Sequence, residues 1–144
     1  MSGEMQMPDF PWIRPTISQD TEFFWEGVDA GELRIQRCAS CSTLRHPARP
    51  MCARCQSLDW DWIVASGRGT IYSFGVAHHP PMPPFSYPIA LLLVELEEGT
   101  RILSSLVGSE ASEVSIGLPV QVEITEVEPG LKFPYFRLAK EGVA

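Results

Sequence analysis

The residues best suited to chemistry are four cysteines, Cys38, Cys41, Cys52 and Cys55, set as two C-x-x-C pairs with ten residues between them. A C-x-x-C turn presents two thiolates to one ion, and a second such turn completes a four-sulfur tetrahedron. Disulfide crosslinking, thiol redox exchange and metal ligation compete for this pattern. A redox pair needs only one C-x-x-C, usually beside a βαβ unit, and no such unit is readable in the chain. The opening residues M-S-G-E-M-Q-M-P-D-F lack a basic stretch followed by an apolar one. No signal peptide is therefore expected, and a cytoplasmic address, where thiols stay reduced, follows. Metal ligation leads, with zinc expected and iron as the rival that suits the same cage. Four thiolates leave no position for a water, so the zinc is expected to be structural.

Other reactive residues are sparse. His46 lies between the two cysteine pairs and is read as a surface histidine that the ion does not need. His78 and His79 stand at a strand end, where neighbouring side chains point to opposite faces and cannot easily serve one atom. The proline-rich loop after them is read as stiff, with Met82 and Phe85 as apolar tips. Glu95, Glu97 and Glu98 fall at a strand end and turn and are read as solvated acids. Neither a phosphate-cradling glycine motif nor a G-x-S-x-G elbow occurs. Catalysis by the chain alone is not expected.

Charge singles out the cysteine segment. The net charge is −7, yet residues 33–58 hold no Asp or Glu and five arginines, Arg34, Arg37, Arg45, Arg49 and Arg54. An anionic ligand would bind on this positive island, and Arg45, Arg49 and Arg54 are the candidate contacts. The competing reading is that the arginines merely solvate a small surface module.

The elements that must hold these residues are short. The 144 residues include thirteen prolines and eleven glycines, which predict brief strands and many turns. No apolar run approaches the roughly 18 to 20 residues of a membrane span. Residues 1–17, with Pro8, Pro11 and Pro15 among Phe10, Trp12 and Ile13, predict an extended arm. Residues 20–30 read as a short helix capped by Ser18 or Asp20 and stopped at Gly31. Its Phe23, Phe24 and Trp25 pack locally or, with Trp12, Met82 and Phe85, form a partner-docking surface. Trp60 and Trp62 alternate on a strand and are read as core. Five further strands, 69–78, 88–96, 101–107, 119–127 and 133–139, suggest a small closed OB-like barrel, with a sandwich as the alternative. The expected divisions are an arm and helix over 1–32, a zinc ribbon over 33–65 and a barrel over 66–144.

Taken in order, F-F-W-E-G, G-E-L-R-I-Q-R-C-A-S-C, R-P-M-C-A-R-C, W-I-V-A-S-G-R-G-T-I-Y-S-F, P-I-A-L-L-L-V-E-L-E-E-G and I-G-L-P-V-Q-V-E resemble one family across about residues 15–140. It is the acyl-CoA-associated zinc-ribbon/OB-fold family, long catalogued as a domain of unknown function. The resemblance implies a mainly β protein: a short N-terminal helix, a rubredoxin-like ribbon with Cys38, Cys41, Cys52 and Cys55 on zinc, then a five-stranded OB-fold barrel. It also implies a non-catalytic accessory subunit of an acyl-CoA-processing complex, partnering a thiolase-fold thiolase or a retro-aldolase of steroid or lipid side chains. The enzyme served is expected on a separate polypeptide. A MaoC-like hydratase is the alternative partner. A single-stranded nucleic-acid module is the rival function, opposed by an acidic barrel and a pI near 4.9.

Overall fold

Residues 11–139 are described in a computed structural model. The Pro8 and Phe10 part of the predicted arm lies outside them. Helix α1 (Glu22–Asp29) begins at Thr21, whose N–H donates to the Ser18 carbonyl, and stops before Gly31 at φ 81°. Ser18 thus supports the first turn from outside it, while Thr21 takes the cap position expected of Ser18 or Asp20. Phe23, Phe24, Gly27 and Val28 form the buried face of α1.

Three short strands follow, β1 (Arg34–Cys38), β2 (Leu44–Arg45) and β3 (Trp60–Val64), in the antiparallel order β2-β1-β3. The barrel comprises β4 (Arg68–Ala77), β5 (Ile89–Leu96), β6 (Arg101–Ser105), β7 (Pro119–Glu128) and β8 (Leu131–Leu138). Its order is β6-β5-β4-β7-β8, and β6 meets β8 through a parallel bridge between Leu106 and Phe136. The Val107 N–H donates to the Phe136 carbonyl at 2.8 Å there. This is the expected five-stranded OB topology, closed on itself so that few strand edges remain bare.

Alternation explains the barrel interior. Along β5, Ala90, Leu92, Val94 and Leu96 are buried and the intervening residues are not. Ile71, Ile102, Val120 and Phe136 complete that interior. The same cluster continues without a break into Phe23, Phe24, Val28, Leu33 and Ile35, so α1 and the ribbon share one core with the barrel.

The join between ribbon and barrel is tight. Gly67 takes φ 81°, and a Cβ there would collide with the Val122 side chain. Gly67→Val is therefore expected to destabilise the fold by about 1–3 kcal/mol from overpacking, with added backbone strain. Urea denaturation would read this as a lower midpoint at unchanged slope.

Candidate metal centre and adjoining trough

The two cysteine turns are built alike. Cys38 donates its N–H to the Thr43 carbonyl and Cys52 donates its own to Ser57, at 2.9 and 3.0 Å. The fourth residue after each first cysteine closes the turn, Ser42 onto the Cys38 carbonyl and Gln56 onto the Cys52 carbonyl, both at 2.9 Å. Both closing residues adopt positive φ, 65° and 61°. Nothing in the residue types announces this, because neither is glycine or asparagine.

The four sulfurs lie within 4.8 Å of one another. Cys38 Sγ is 3.5 Å from Cys55 Sγ, and Cys41 Sγ is 3.6 Å from Cys52 Sγ. A zinc–sulfur distance of about 2.3 Å requires tetrahedral edges of roughly 3.8 Å, so the donor set fits a four-coordinate ion. The Thr43 hydroxyl, 3.1 Å from Cys41 Sγ, brings that thiol down to about 6, while the neighbouring sulfurs and burial push Cys55 up, so without an ion the four sulfurs hold protons unequally. Cys38 and Cys52 are buried and Cys55 is exposed, so one edge of the cage faces water.

Gln36, 1% exposed, fastens the segment between the cysteine pairs. Its carbonyl oxygen accepts from Arg45 Nε and the Arg49 N–H, and its amide donates to the Arg49 carbonyl. Arg45 also donates through Nη2 to the Arg49 carbonyl at 2.9 Å. Two of its three nitrogens are thus used inside the ribbon, while Nη1 is buried without a partner among the described residues. Arg49 and Arg54 are exposed. Arg14, Arg34, Arg37, Arg68, Arg101 and Arg137 each pair with a carboxylate at 2.8–3.2 Å. Among the described residues Arg45, Arg49 and Arg54 have no such partner.

Several expectations change. Phe23 and Phe24 are 5% and 8% exposed, so both belong to the core and not to an open docking surface. The helix is too short to stand without that burial. Trp25 and Trp12 are half-buried, and Trp12 sets its edge against Phe85 with ring centres 5.2 Å apart. Met82 and Phe85 remain exposed. Trp62, read as core, is 43% exposed, stacked on Phe23 and covered in part by Arg34. Glu97 and Glu98 are not idle acids: they accept from the Ser66 hydroxyl and the Ser66 N–H, pinning the ribbon–barrel join.

His46, read as a surface residue, is half-buried with its ring 5.3 Å from that of Phe24. Burial lowers its pKa. The unfolded chain then binds a proton that the folded one resists, so stability is full above the unfolded value of about 6.5 and falls as pH drops through it. Asp61 and Glu97, lowered by hydrogen bonds from Arg37 and Ser66, add their losses only below about pH 4. His46→Leu is accordingly expected to flatten the fall in melting temperature between about pH 7 and 5. A calorimetric series of both proteins checks this.

Two hollows adjoin along β6 and β8, with Ser105, Phe133 and Tyr135 as their common wall. The smaller, about 380 Å³, reaches Phe24, Trp25 and the His46–Ala48 loop of the ribbon. The larger, about 800 Å³, lies among Trp12, the Met82–Phe85 loop and Val107. Burial pushes the Tyr135 phenol up, which keeps it a neutral hydrogen-bonding group. Among the described residues no helix is long and apolar enough to cross a membrane.

Comparison with known proteins agrees with this architecture. Residues 25–61 match the family described as "ChsH2, rubredoxin-like zinc ribbon domain", and residues 62–125 match "ChsH2, C-terminal OB-fold domain". The cysteine cage is thus a structural zinc site of the rubredoxin-like type. A solved chain described as "Ltp2-ChsH2(DUF35) aldolase" superposes with a TM-score of 0.83 at 48% identity, covering 87% of this chain and 98% of that one. A probable enoyl-CoA hydratase alpha subunit of Thermomonospora curvata is 48% identical over 126 residues, 88% of this chain and 40% of its own length. The 3-oxo-4,17-pregnadiene-20-carboxyl-CoA hydratase alpha subunit of Mycobacterium tuberculosis is 50% identical over 109 residues, 76% and 35% respectively. The chain therefore spans less than half the length of these two curated relatives.

Proposed function

The chain belongs to the ChsH2-type DUF35 family of zinc-ribbon/OB-fold proteins, and from that premise we propose that it is a non-catalytic accessory subunit of an acyl-CoA-processing complex. Its partner is a thiolase-fold retro-aldolase that shortens steroid or lipid side chains. The observation that carries this reading is the likeness to the DUF35 chain of the Ltp2-ChsH2 aldolase, which extends over 98% of that chain. The site chemistry agrees, since saturated zinc supplies no open position for substrate or water. The subunit stabilises its partner and helps shape the CoA-thioester site. Met82 and Phe85, exposed at the tip of the proline-rich loop, supply apolar contacts, with Trp12 bracing Phe85 from behind.

Co-expression tests the assignment. The chain is expected to co-elute with a thiolase-fold protein and to raise its retro-aldol activity. If it associates with no such protein, the reading is lost. Association with a hydratase instead would establish the second reading, which the hydratase alpha-subunit names of the two curated relatives favour.

Arg49 and Arg54, exposed and without acid partners among the described residues, are the proposed contacts for CoA phosphates, with Arg45 holding the loop that carries Arg49. Replacing both Arg49 and Arg54 with alanine is expected to weaken CoA-thioester binding by the complex roughly tenfold, about 1.4 kcal/mol. Calorimetric titration measures it, and unchanged affinity removes these residues from the site.

A further inference from the structure

We propose that β3 is an open sheet edge on which a second copy of this chain adds, strand to strand and antiparallel. Hydrogen-bond alternation identifies the free backbone groups. At the two ends of β3, the Ala39 N–H donates to the Asp59 carbonyl and the Ala65 N–H to the Leu33 carbonyl. With Gln36 opposite Trp62, the bonds to β1 fall on the odd-numbered residues of this segment. Asp61 and Ile63 therefore face β1, while Trp60, Trp62 and Val64 turn their N–H and C=O groups the other way. β1 obeys the same rule on its far side, where the Cys38 N–H donates to Thr43 just before β2. β3 ends the sheet order β2-β1-β3, and among the described residues the outward groups of Trp60, Trp62 and Val64 make no backbone bond. An exposed strand edge is a template for another strand, and proteins usually guard it with Lys, Pro or a bulge. W-D-W-I-V holds neither residue, its register with β1 is unbroken, and its residue types favour strand pairing.

The strand is complementary to itself, which selects the occupant. Its outward groups stand at the first, third and fifth positions, so a two-fold axis at Trp62 sets every donor against an acceptor. Trp62 then pairs with its own copy and Trp60 with Val64 of the copy, each pair exchanging both bonds. These are aromatic–aromatic and aromatic–β-branched pairs, combinations that stabilise antiparallel strands. Trp62, 43% exposed, and Val64, 55% exposed, gain cover there. Charge permits the contact although the chain is acidic overall. Asp61, the strand's one charge, is met by Arg37 at 2.8 and 2.9 Å and would lie opposite Ile63 of the copy. Arg34, over the Trp62 ring, is paired with Glu32. Arg45, without an acid partner among the described residues, stands on β2 at the opposite edge. In the joined sheet the two β2 strands are about 24 Å apart, five strand spacings, and roughly 8–10 Å of salt solution already screens such charges. Five residues make a small contact beside the roughly 800 Å² per partner of stable complexes, so the dimer is weak and forms at high concentration.

Sedimentation velocity on the zinc-loaded full-length chain tests this. The mass is expected to rise from 16.0 kDa at about 1 μM towards twice that at roughly 500 μM, as a small interface requires. Residue-resolved amide exchange supplies the strand-level readout. The Trp60, Trp62 and Val64 amides should gain protection with concentration, whereas those of Asp61 and Ile63, bonded to β1, are protected throughout. Val64→Pro removes one outward N–H and leaves the ladder to β1 whole, because the Val64 N–H takes no part in it. Val64→Lys sets a charge on the seam at a residue that is already exposed. Each is expected to weaken self-association at least roughly tenfold. Zinc content and melting temperature confirm folding, and should the proline variant fail there, the lysine variant carries the test. A chain that stays at 16.0 kDa throughout, or a dimer whose affinity neither folded variant changes, overturns the proposal. If the free chain stays monomeric and Val64→Lys instead abolishes co-elution with the enzyme partner, the edge belongs to that enzyme and the proposal also falls. In that case the accessory-subunit reading stands, so the two failures are distinguishable.

Discussion

Cys38→Ser is expected to abolish stoichiometric zinc and to unfold the ribbon. Cys38 is fully buried, and its sulfur lies 3.5 Å from that of Cys55, so no water can take its place in the cage without opening the turn. The metal also neutralises sulfurs that would repel one another as thiolates at this spacing. In zinc-finger peptides, ion binding supplies about 10–16 kcal/mol of apparent free energy, nearly all of it coupled to folding. Losing one of four ligands should forfeit several kcal/mol of that. The loss spreads, because Leu33 and Ile35 of the ribbon belong to the same core as α1 and the barrel. Elemental analysis should fall from one zinc per chain towards none, and amide exchange should lose protection first in β1, β2 and β3. A variant that kept its zinc and its exchange pattern would require a substitute ligand. His46 cannot supply one in this fold, since its ring packs on Phe24.

Phe136→Ala is expected to be the most damaging change in the barrel, at roughly 3–5 kcal/mol. Phe136 is wholly buried, and its carbonyl accepts the hydrogen bond from Val107 where the barrel closes. Truncating the ring removes apolar contact and leaves a cavity at the seam, where β6 and β8 have little other pairing to hold them. Urea denaturation followed by tryptophan fluorescence measures the loss. Phe136→Leu, which keeps more of the volume, should cost less. Zinc content should remain near one per chain under native conditions. A cost below 1 kcal/mol for Phe136→Ala would place the closure of the barrel elsewhere.

These two positions differ in how visible they are along the chain. Cys38 declares itself, because two C-x-x-C turns in a chain expected to stay reduced have few other uses. Phe136 does not. It sits in F-P-Y-F-R with two other aromatic residues, and alternation cannot rank them until β8 is paired with β7. Pairing buries Phe136 inside the barrel and leaves Phe133 and Tyr135 only partly covered, as walls of the trough. Helix α1 shows the same limit. Its aromatic run predicts packing against something, and only tertiary contact divides it into buried Phe23 and Phe24 and half-buried Trp25.

The zinc cage, the short helix, the strand series and the positive island are legible along the chain, because they depend on local spacing and on side-chain type. Covalent proximity within a C-x-x-C turn, or alternation along one strand, is preserved however the rest of the chain folds. Which charges are spent depends on how the chain folds back on itself. That folding placed Arg37 across from Asp61 and Arg68 beside Glu97, and it left Arg45, Arg49 and Arg54 without described carboxylate partners. It also turned Glu97 and Glu98 into a clamp on Ser66, more than thirty residues away. The trough belongs wholly to this second kind of information. Its walls come from segments spread from Pro11 to Tyr135, and their meeting depends on barrel closure and on the shared core that seats the ribbon against it.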